Sequence, residues 1–395
     1  MFDRKITEKI KPFLAVRDIL LFYGARQVGK TSLMKIIQKN YVNEPSYFFD
    51  LENVEYLNLL NKSPELFVAF LRSYHNWVDN KRIVVFIDEV QYLDNPTNFL
   101  KYIHDNYPAI KMIVSGSSTL EIRGKLKDSL VGRLIKFDIY PLSFEEFLIF
   151  KNKQNLANLV GKVSEFDIIN NEMRFYYDEF LHFGGYPKVV LANDINLKKA
   201  YLKQIYDTYI QKDIKDIGKI RELEKFNKLI RILANQVGSL VNISELSKTV
   251  GTSINTINEW IFLLENTFVI KQITPFSNNL RGELTKMPKI FFVDAGLKNC
   301  IEGIYETTGG SFENSFFAYI NNAYKAEKIN FYRTQDKKEI DFVLDGTPYE
   351  LKQTFSGGKL TALDFFQTHY KQKGSVVTLQ KKESERYNVC FPWEI

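Results

Sequence analysis

Ile19-Leu20-Leu21-Phe22-Tyr23-Gly24-Ala25-Arg26-Gln27-Val28-Gly29-Lys30-Thr31-Ser32-Leu33-Met34 decides the fold of this chain. Five apolar residues predict a short buried strand. The next turn has the spacing G-x-x-x-x-G-K-[ST] and opens onto a helical run from Ser32 to Ile37. Gly24 and Gly29 let the backbone bend so that its N–H groups converge on an anion. The helix N-terminus adds a favourable dipole, and Ser32 lines the same turn. Lys30 is placed to reach the β- and γ-phosphates of ATP, and Thr31 to offer its hydroxyl to Mg²⁺.

Working outward, Ile83-Val84-Val85-Phe86-Ile87-Asp88-Glu89 is an apolar strand ending in two carboxylates, which is costly unless they serve a cation. Asp88 is expected to hold Mg²⁺ through its water shell and Glu89 to polarise the attacking water. Ile113-Val114-Ser115-Gly116-Ser117-Ser118 ends a further strand in hydroxyls, and Ser117 is the candidate sensor of the γ-phosphate. Beyond it stand Arg123 and Arg133. Either suits an arginine finger, within the chain or on a neighbouring subunit, and Arg133 is the stronger candidate. With Tyr47-Phe48-Phe49-Asp50, these apolar runs separated by helices predict an α/β fold over 1–145, with a parallel sheet covered on both faces.

Composition is that of a globular protein: 395 residues, 45% hydrophobic, 25% charged, net charge +6. No run approaches 18 apolar residues, so no membrane span is expected. Met1-Phe2-Asp3-Arg4-Lys5 does not read as a secretory signal. Cys300 and Cys390 make neither a disulfide framework nor a zinc site, and a cytoplasmic location fits best. Four blocks are expected: 1–145, a helical region 146–220, 221–288, and a mixed α/β region 289–395.

Residues 224–237 predict a helix with Phe226, Leu229, Ile230, Leu233 and Val237 on one face. A short helix from Ser244 stops at Gly251, a third begins at Ser253, and a strand covers 268–273. This is the layout of a winged helix-turn-helix. Its third helix would present Ser253, Asn255, Thr256 and Asn258 to a DNA groove, although it carries Glu259 and no Lys or Arg. Clustering of Lys198, Lys199, Lys203, Lys212, Lys215 and Lys219 would support DNA as a partner. The last block, 289–395, is neutral, with 14 Lys/Arg and 14 Asp/Glu.

Within that block Lys338-Glu339-Ile340-Asp341-Phe342-Val343-Leu344 and Pro348-Tyr349-Glu350-Leu351-Lys352 predict two strands joined at Asp345-Gly346. Residues two apart share a face, so Glu350 and Lys352 point together and Asp341 can meet them. Glu313, on a preceding helix, is the candidate third carboxylate. Asp341, Glu350 and Glu313 would hold Mg²⁺ or Mn²⁺, and Lys352 would orient water or stabilise developing charge. The same residues also fit a solvated strand face with an ion pair.

Gly24…Lys30-Thr31, Phe86-Ile87-Asp88-Glu89-Val90-Gln91, Ser115-Gly116-Ser117-Ser118, Gly132-Arg133 and Pro141-Leu142-Ser143-Phe144-Glu145-Glu146-Phe147 together resemble the prokaryotic AAA-type ATPases of the archaeal-ATPase group. Phe183-Gly184-Gly185-Tyr186-Pro187, Asp294-Ala295-Gly296-Leu297 and Phe312-Glu313-Asn314 resemble the C-terminal domain of uncharacterised function that usually follows that ATPase. The D…E-x-K hairpin resembles the restriction-endonuclease-like nuclease core, which archaeal Holliday-junction resolvases share. These resemblances imply an ATP hydrolase coupled to DNA binding and metal-dependent cleavage or DNA maintenance, possible as a homo-oligomer. A nucleotide-gated switch or scaffold, or an ATP-responsive DNA-binding regulator, with a catalytically idle nuclease-like domain is the alternative.

Overall fold

The apolar runs become the strands of a parallel sheet: β1 Ile19–Tyr23, β2 Ser46–Asp50, β3 Ile83–Asp88, β4 Ile110–Gly116 and β5 Leu134–Asp138. The computed structural model describes residues 3–116, 130–214, 218, 220–277, 287–381 and 384–395, which divide after Tyr140 into two units. In the first unit the order is β2-β3-β4-β1-β5, and every neighbouring pair is parallel. Every residue of β1, β3 and β4 is buried, as a sheet covered on both faces requires. Helix Lys30–Asn40 follows β1 directly, and Gly29 precedes it at φ 94°, a conformation only glycine adopts cheaply. Helices Pro64–Tyr74 and Pro96–Asn106 start with proline behind Ser63 and Asn95 caps.

The second unit begins at Pro141 rather than after 145. Leu142 is the reason: its N–H donates to the Gly185 carbonyl at 2.8 Å, deep within that unit. Ser143 and Glu146 then form a capping box that starts helix Phe144–Phe150. The Gly184-Gly185-Tyr186-Pro187 break ends helix Asp167–Phe183 and starts Pro187–Leu191. Gly184 has φ 72°, and a Cβ there would lie 2.2 Å from Asp294 Oδ1. The Gly185 N–H donates to Asp294 Oδ2 at 2.7 Å, and Asp294 Oδ1 caps helix Ala295–Glu302 by accepting from Leu297 N–H at 2.8 Å. Asn299 closes the junction by donating to the Leu181 and His182 carbonyls. The two motifs thus form one buried lock.

Helices Leu223–Asn235, Ile243–Val250 and Ile254–Asn266 precede a hairpin of β6 Ile270–Ile273 and β7 Lys289–Phe292. A border at 288 would therefore cut a hydrogen-bonded hairpin. Buried Asn314, on helix Gly309–Asn322, holds both the N–H and the carbonyl of Phe292, tying β7 to that helix. The blocks expected as 146–220, 221–288 and 289–395 lie in this one unit.

The last sheet contains β8 Ile329–Arg333, β9 Glu339–Leu344, β10 Thr347–Thr354, β11 Ser375–Gln380 and β12 Asn388–Cys390, in the order β12-β11-β10-β9-β8. Strands β8, β9 and β10 are antiparallel, whereas β10, β11 and β12 are parallel. Phe366 and Leu363 of helix Thr361–Tyr370 pack with Tyr332, Ile340, Val343 and Val376. Phe316, on helix Gly309–Asn322, packs at a tilt against Phe342 with ring centroids 5.3 Å apart, so helices serve both sides of the sheet.

Candidate functional site

The phosphate loop sits where β1 ends. Gly24 has no room for a side chain: a Cβ there would lie 2.1 Å from the Ile139 carbonyl oxygen. Lys30 is 5% exposed and donates to the carbonyls of Ala25 at 2.8 Å and Gly24 at 3.1 Å. Burial lowers its pKa to about 8, with Glu89 and Asp88 opposing the shift. Thr31 Oγ1 donates to Asp88 Oδ2 at 2.6 Å, and Ser32 is exposed on the first turn.

Strand order assembles the rest. Because β4 lies between β1 and β3, its end falls beside Asp88. Buried Ser115 donates to Asp88 Oδ1 and accepts from the Glu89 N–H at 3.1 Å. Glu89 is held at φ 56°, uncommon for a non-glycine residue, and its carboxylate accepts from Gln91. Ser117 and Arg123 lie outside the described residues. Within the expected cluster of hydroxyls, Ser115 rather than the candidate Ser117 is the one seen to meet Asp88 and Glu89. Its signal was a polar side chain inside an apolar strand, which needs a buried partner.

These residues fit ATP and Mg²⁺. Gly24 keeps clear a cradle that a Cβ would fill, a buried ammonium lies at the loop, and hydroxyl and carboxylate oxygens suit a hard cation.

Arg133 is placed elsewhere. It precedes β5, whose first residue pairs with Ile19 at the start of β1, whereas the loop lies at the end of β1. It holds Asp105 with two bonds, at 2.7 and 3.1 Å. That contact, with His104 second, keeps the Asp105 carboxyl far below the usual range. The length of β1 separates Arg133 from the loop, so an intrachain finger is not formed.

In the second unit β9 and β10 bring three of the expected residues together. Asp341 Oδ2 accepts from Leu351 N–H at 2.8 Å, and Lys352 Nζ donates to Glu350 Oε1 at 2.6 Å. Glu350 is buried, and its Oε2 has no hydrogen-bond partner among the described residues. Glu313 meets Gly238 instead of completing a cage: a Cβ on Gly238 would lie 2.1 Å from Glu313 Oε2. Among the described residues no group of three His, Cys, Asp or Glu side chains is placed to hold a metal ion. The expected three-carboxylate set is therefore corrected to a pair, Asp341 and Glu350, with Glu313 nearby. Such a pair still suits Mg²⁺, which keeps several waters and takes only one or two carboxylates.

Lys289, on β7, is a member the sequence reading missed. It is 1% exposed and pairs with Glu339 at 2.6 Å, while Arg333 bonds the other Glu339 oxygen. Burial raises the pKa values of Glu313, Asp341 and Glu350, and the Lys289 charge opposes that rise. Burial works against the Lys352 ammonium, but the Glu350 and Asp341 carboxylates outweigh it and raise its pKa.

Burial first, and the Asp341 carboxylate second, push Glu313 up to about 8 and Glu350 to about 7. Both titrate near about 4.3 in an unfolded chain. The folded state therefore binds more protons in between. This stabilisation is full below about pH 4 and is lost as pH rises through 7 and 8. Without divalent cation, the melting temperature is expected to fall between pH 6 and pH 8.5, with a smaller slope in Glu313→Gln. Equal slopes in both proteins would show that Glu313 does not hold the extra proton.

Of the lysines proposed for DNA, Lys198 stands apart from any exposed basic face. Lys198 is 3% exposed and pairs with Glu179 at 2.8 Å, whereas Lys199 and Lys203 are exposed. The Lys212 side chain, Lys215 and Lys219 lie outside the described residues. On helix Ile254–Asn266, Ser253 and Thr256 bond each other at the cap. Asn255, Asn258 and Glu259 are exposed, beside Ile254 and Phe262 at 48% and 55%.

Comparison with known proteins agrees with this geometry. Residues 16–148 match the family model described as an AAA domain, and residues 174–308 match a domain of unknown function, DUF8612, which spans the Gly184–Asp294 lock. An uncharacterized protein of Methanocaldococcus jannaschii is 28% identical over 361 residues, covering 89% of this chain and 77% of that protein. One from Haemophilus influenzae is 28% identical over 341 residues, covering 82% and 79%. The Walker-type ATPase of Pyrococcus abyssi shares the fold, with a TM-score of 0.50 at 16% identity over 76% of this chain and 96% of that one. The first unit is an AAA-type ATPase domain, a fold for binding and hydrolysing ATP. No helix among the described residues is long and apolar enough to cross a membrane.

Proposed function

We propose that this chain is an ATP-hydrolysing DNA-maintenance protein whose second unit engages DNA and cuts phosphodiester bonds at Asp341, Glu350 and Lys352. The observation that carries this reading is the meeting of those residues on β9 and β10, with one buried Glu350 oxygen unpartnered among the described residues. The three-helix and hairpin module supports DNA as the partner.

In the ATPase unit, backbone amides of the loop and Lys30 would bind the phosphates, and Thr31 and Asp88 would hold Mg²⁺. That ion would neutralise phosphate charge. Glu89 takes a proton from the attacking water, and Ser115 keeps Asp88 and Glu89 in place. Arg133 acts on the nucleotide of a neighbouring copy, since its own chain keeps it away from the loop. In the second unit Asp341 and Glu350 would hold Mg²⁺ or Mn²⁺; the chemistry supplied by such a bound ion is water activation and phosphodiester polarisation. Lys352 stabilises the charge that develops on the phosphate.

A second reading is favoured by two observations. Lys289, Lys352 and Arg333 balance much of the acidic cluster, and Ile254 and Phe262 are exposed on the third helix. These suit a nucleotide-gated switch that binds a protein partner and cuts nothing. Branched and linear DNA incubated with Mn²⁺ or Mg²⁺, with and without ATP, separates the two. Cleavage that falls at least about a hundredfold in Glu350→Ala supports the nuclease. Intact DNA throughout, or cleavage unchanged in Glu350→Ala, refutes it.

A further inference from the structure

Arg4 lies outside every motif of the ATP site, yet its guanidinium reaches the phosphate loop. It is 6% exposed. Its Nη1 donates to the Val28 carbonyl at 3.0 Å and its Nη2 to the Tyr140 carbonyl at 2.9 Å. Val28 immediately precedes Gly29, and Tyr140 is the last residue of the ATPase unit.

In a planar trans peptide the carbonyl and the N–H point in opposite directions. A cation bound to the outer face of the Val28–Gly29 peptide therefore aims the Gly29 N–H to the other side, into the turn where phosphate binds. Accepting from a charged donor also polarises that peptide and makes its N–H a stronger donor. The other end of the turn is fixed to the same segment without Arg4. Ile139 N–H donates to the Tyr23 carbonyl at 2.6 Å, and Gly24 is packed against the Ile139 carbonyl. Arg4 thus ties the second end of the loop to residue 140 as backbone contacts tie the first to residue 139.

The segment carrying Arg4 is itself anchored. Asp3 accepts from Thr7 Oγ1 at 2.9 Å and from the Tyr41 hydroxyl, beyond the end of helix Lys30–Asn40. A lysine has no planar fork with which to hold two carbonyls in fixed directions.

We propose that Arg4 is a positioning residue for ATP binding: it orients the Val28–Gly29 peptide of the phosphate loop and fixes it to the point where the chain leaves the ATPase unit. The proposal rests on ATP being bound at that loop.

The test uses the full chain and reads ATP affinity by titration calorimetry, KM and kcat by steady-state hydrolysis, and folding by thermal melting. Arg4→Met is expected to raise Kd and KM for ATP about tenfold while kcat changes by less than about threefold. Arg4→Lys is expected to recover part of the affinity. Thr7→Val, which loosens the same segment without touching the loop, is expected to bind ATP like the parent. Unchanged affinity in Arg4→Met overturns the proposal. So does an equal loss in Thr7→Val, which would reduce Arg4 to general packing. If Arg4→Met does not melt cooperatively, Arg4→Lys decides, and a Kd within about twofold of the parent overturns the proposal. A parent chain that fails to bind ATP removes the nucleotide reading itself, a result distinct from any of these.

Discussion

Glu89→Gln is expected to lower ATP turnover by about a hundredfold or more, the usual worth of a general base, and to leave ATP affinity within about twofold. In the proposed site the loop and Lys30 contact the phosphates, so affinity is expected not to depend on the Glu89 carboxylate. Turnover does, because Glu89 directly follows β3 next to Asp88, and its N–H is held by Ser115 on the neighbouring strand. The amide keeps the size of the carboxylate but cannot take a proton at neutral pH. Steady-state phosphate release and calorimetric ATP binding together check this. Turnover near the parent value would remove Glu89 from the chemistry, and loss of binding in parallel would make it structural.

Asp294→Ala is expected to destabilise the second unit by about 3 kcal/mol, which corresponds to a fall of roughly 6–12 °C in melting temperature. The carboxylate is fully enclosed, and burial raises its pKa to about 6 even though the amides of Gly185 and Leu297 favour the charged form. Alanine leaves those two buried N–H groups without an acceptor and removes the cap of helix Ala295–Glu302. Gly184→Ala probes the same lock from the other side. There the new methyl would collide with Asp294 from a backbone already at φ 72°. Melting followed by circular dichroism checks both, and a shift under about 2 °C in Asp294→Ala would show that the lock carries little stability.

What could be read from the chain depended on the range of the physics involved. The loop between β1 and its helix was legible because one short stretch of backbone forms it, so glycine spacing and the next helix turn describe it. Glu350 and Lys352 were legible because a strand's two-residue period puts them on one face. Lys198 belongs in the sequence to the lysines whose clustering would support DNA, but only packing shows that it is buried against Glu179.

The residues missed were those whose partners are distant in sequence. Ser115 became part of the ATP site only because β4 inserts between β1 and β3. Arg133 left that site because β5 starts where β1 starts, a whole strand length from the loop. Lys289 joined the acidic cluster because β7 pairs with β6 while Asn314 holds it to the helix bearing Glu313. Arg4 reached Val28 and Tyr140 by closing a link across the entire first unit.

The sequence by itself determined the ATP-binding turn, the α/β class and the pairing of Glu350 with Lys352, since each depends on backbone rules acting over a few residues. Only the tertiary structure decided the strand order, the division at Tyr140, the lock between Gly184 and Asp294, and which charges face one another. Those depend on loop closure and burial between distant segments, whose free energy no local spacing records.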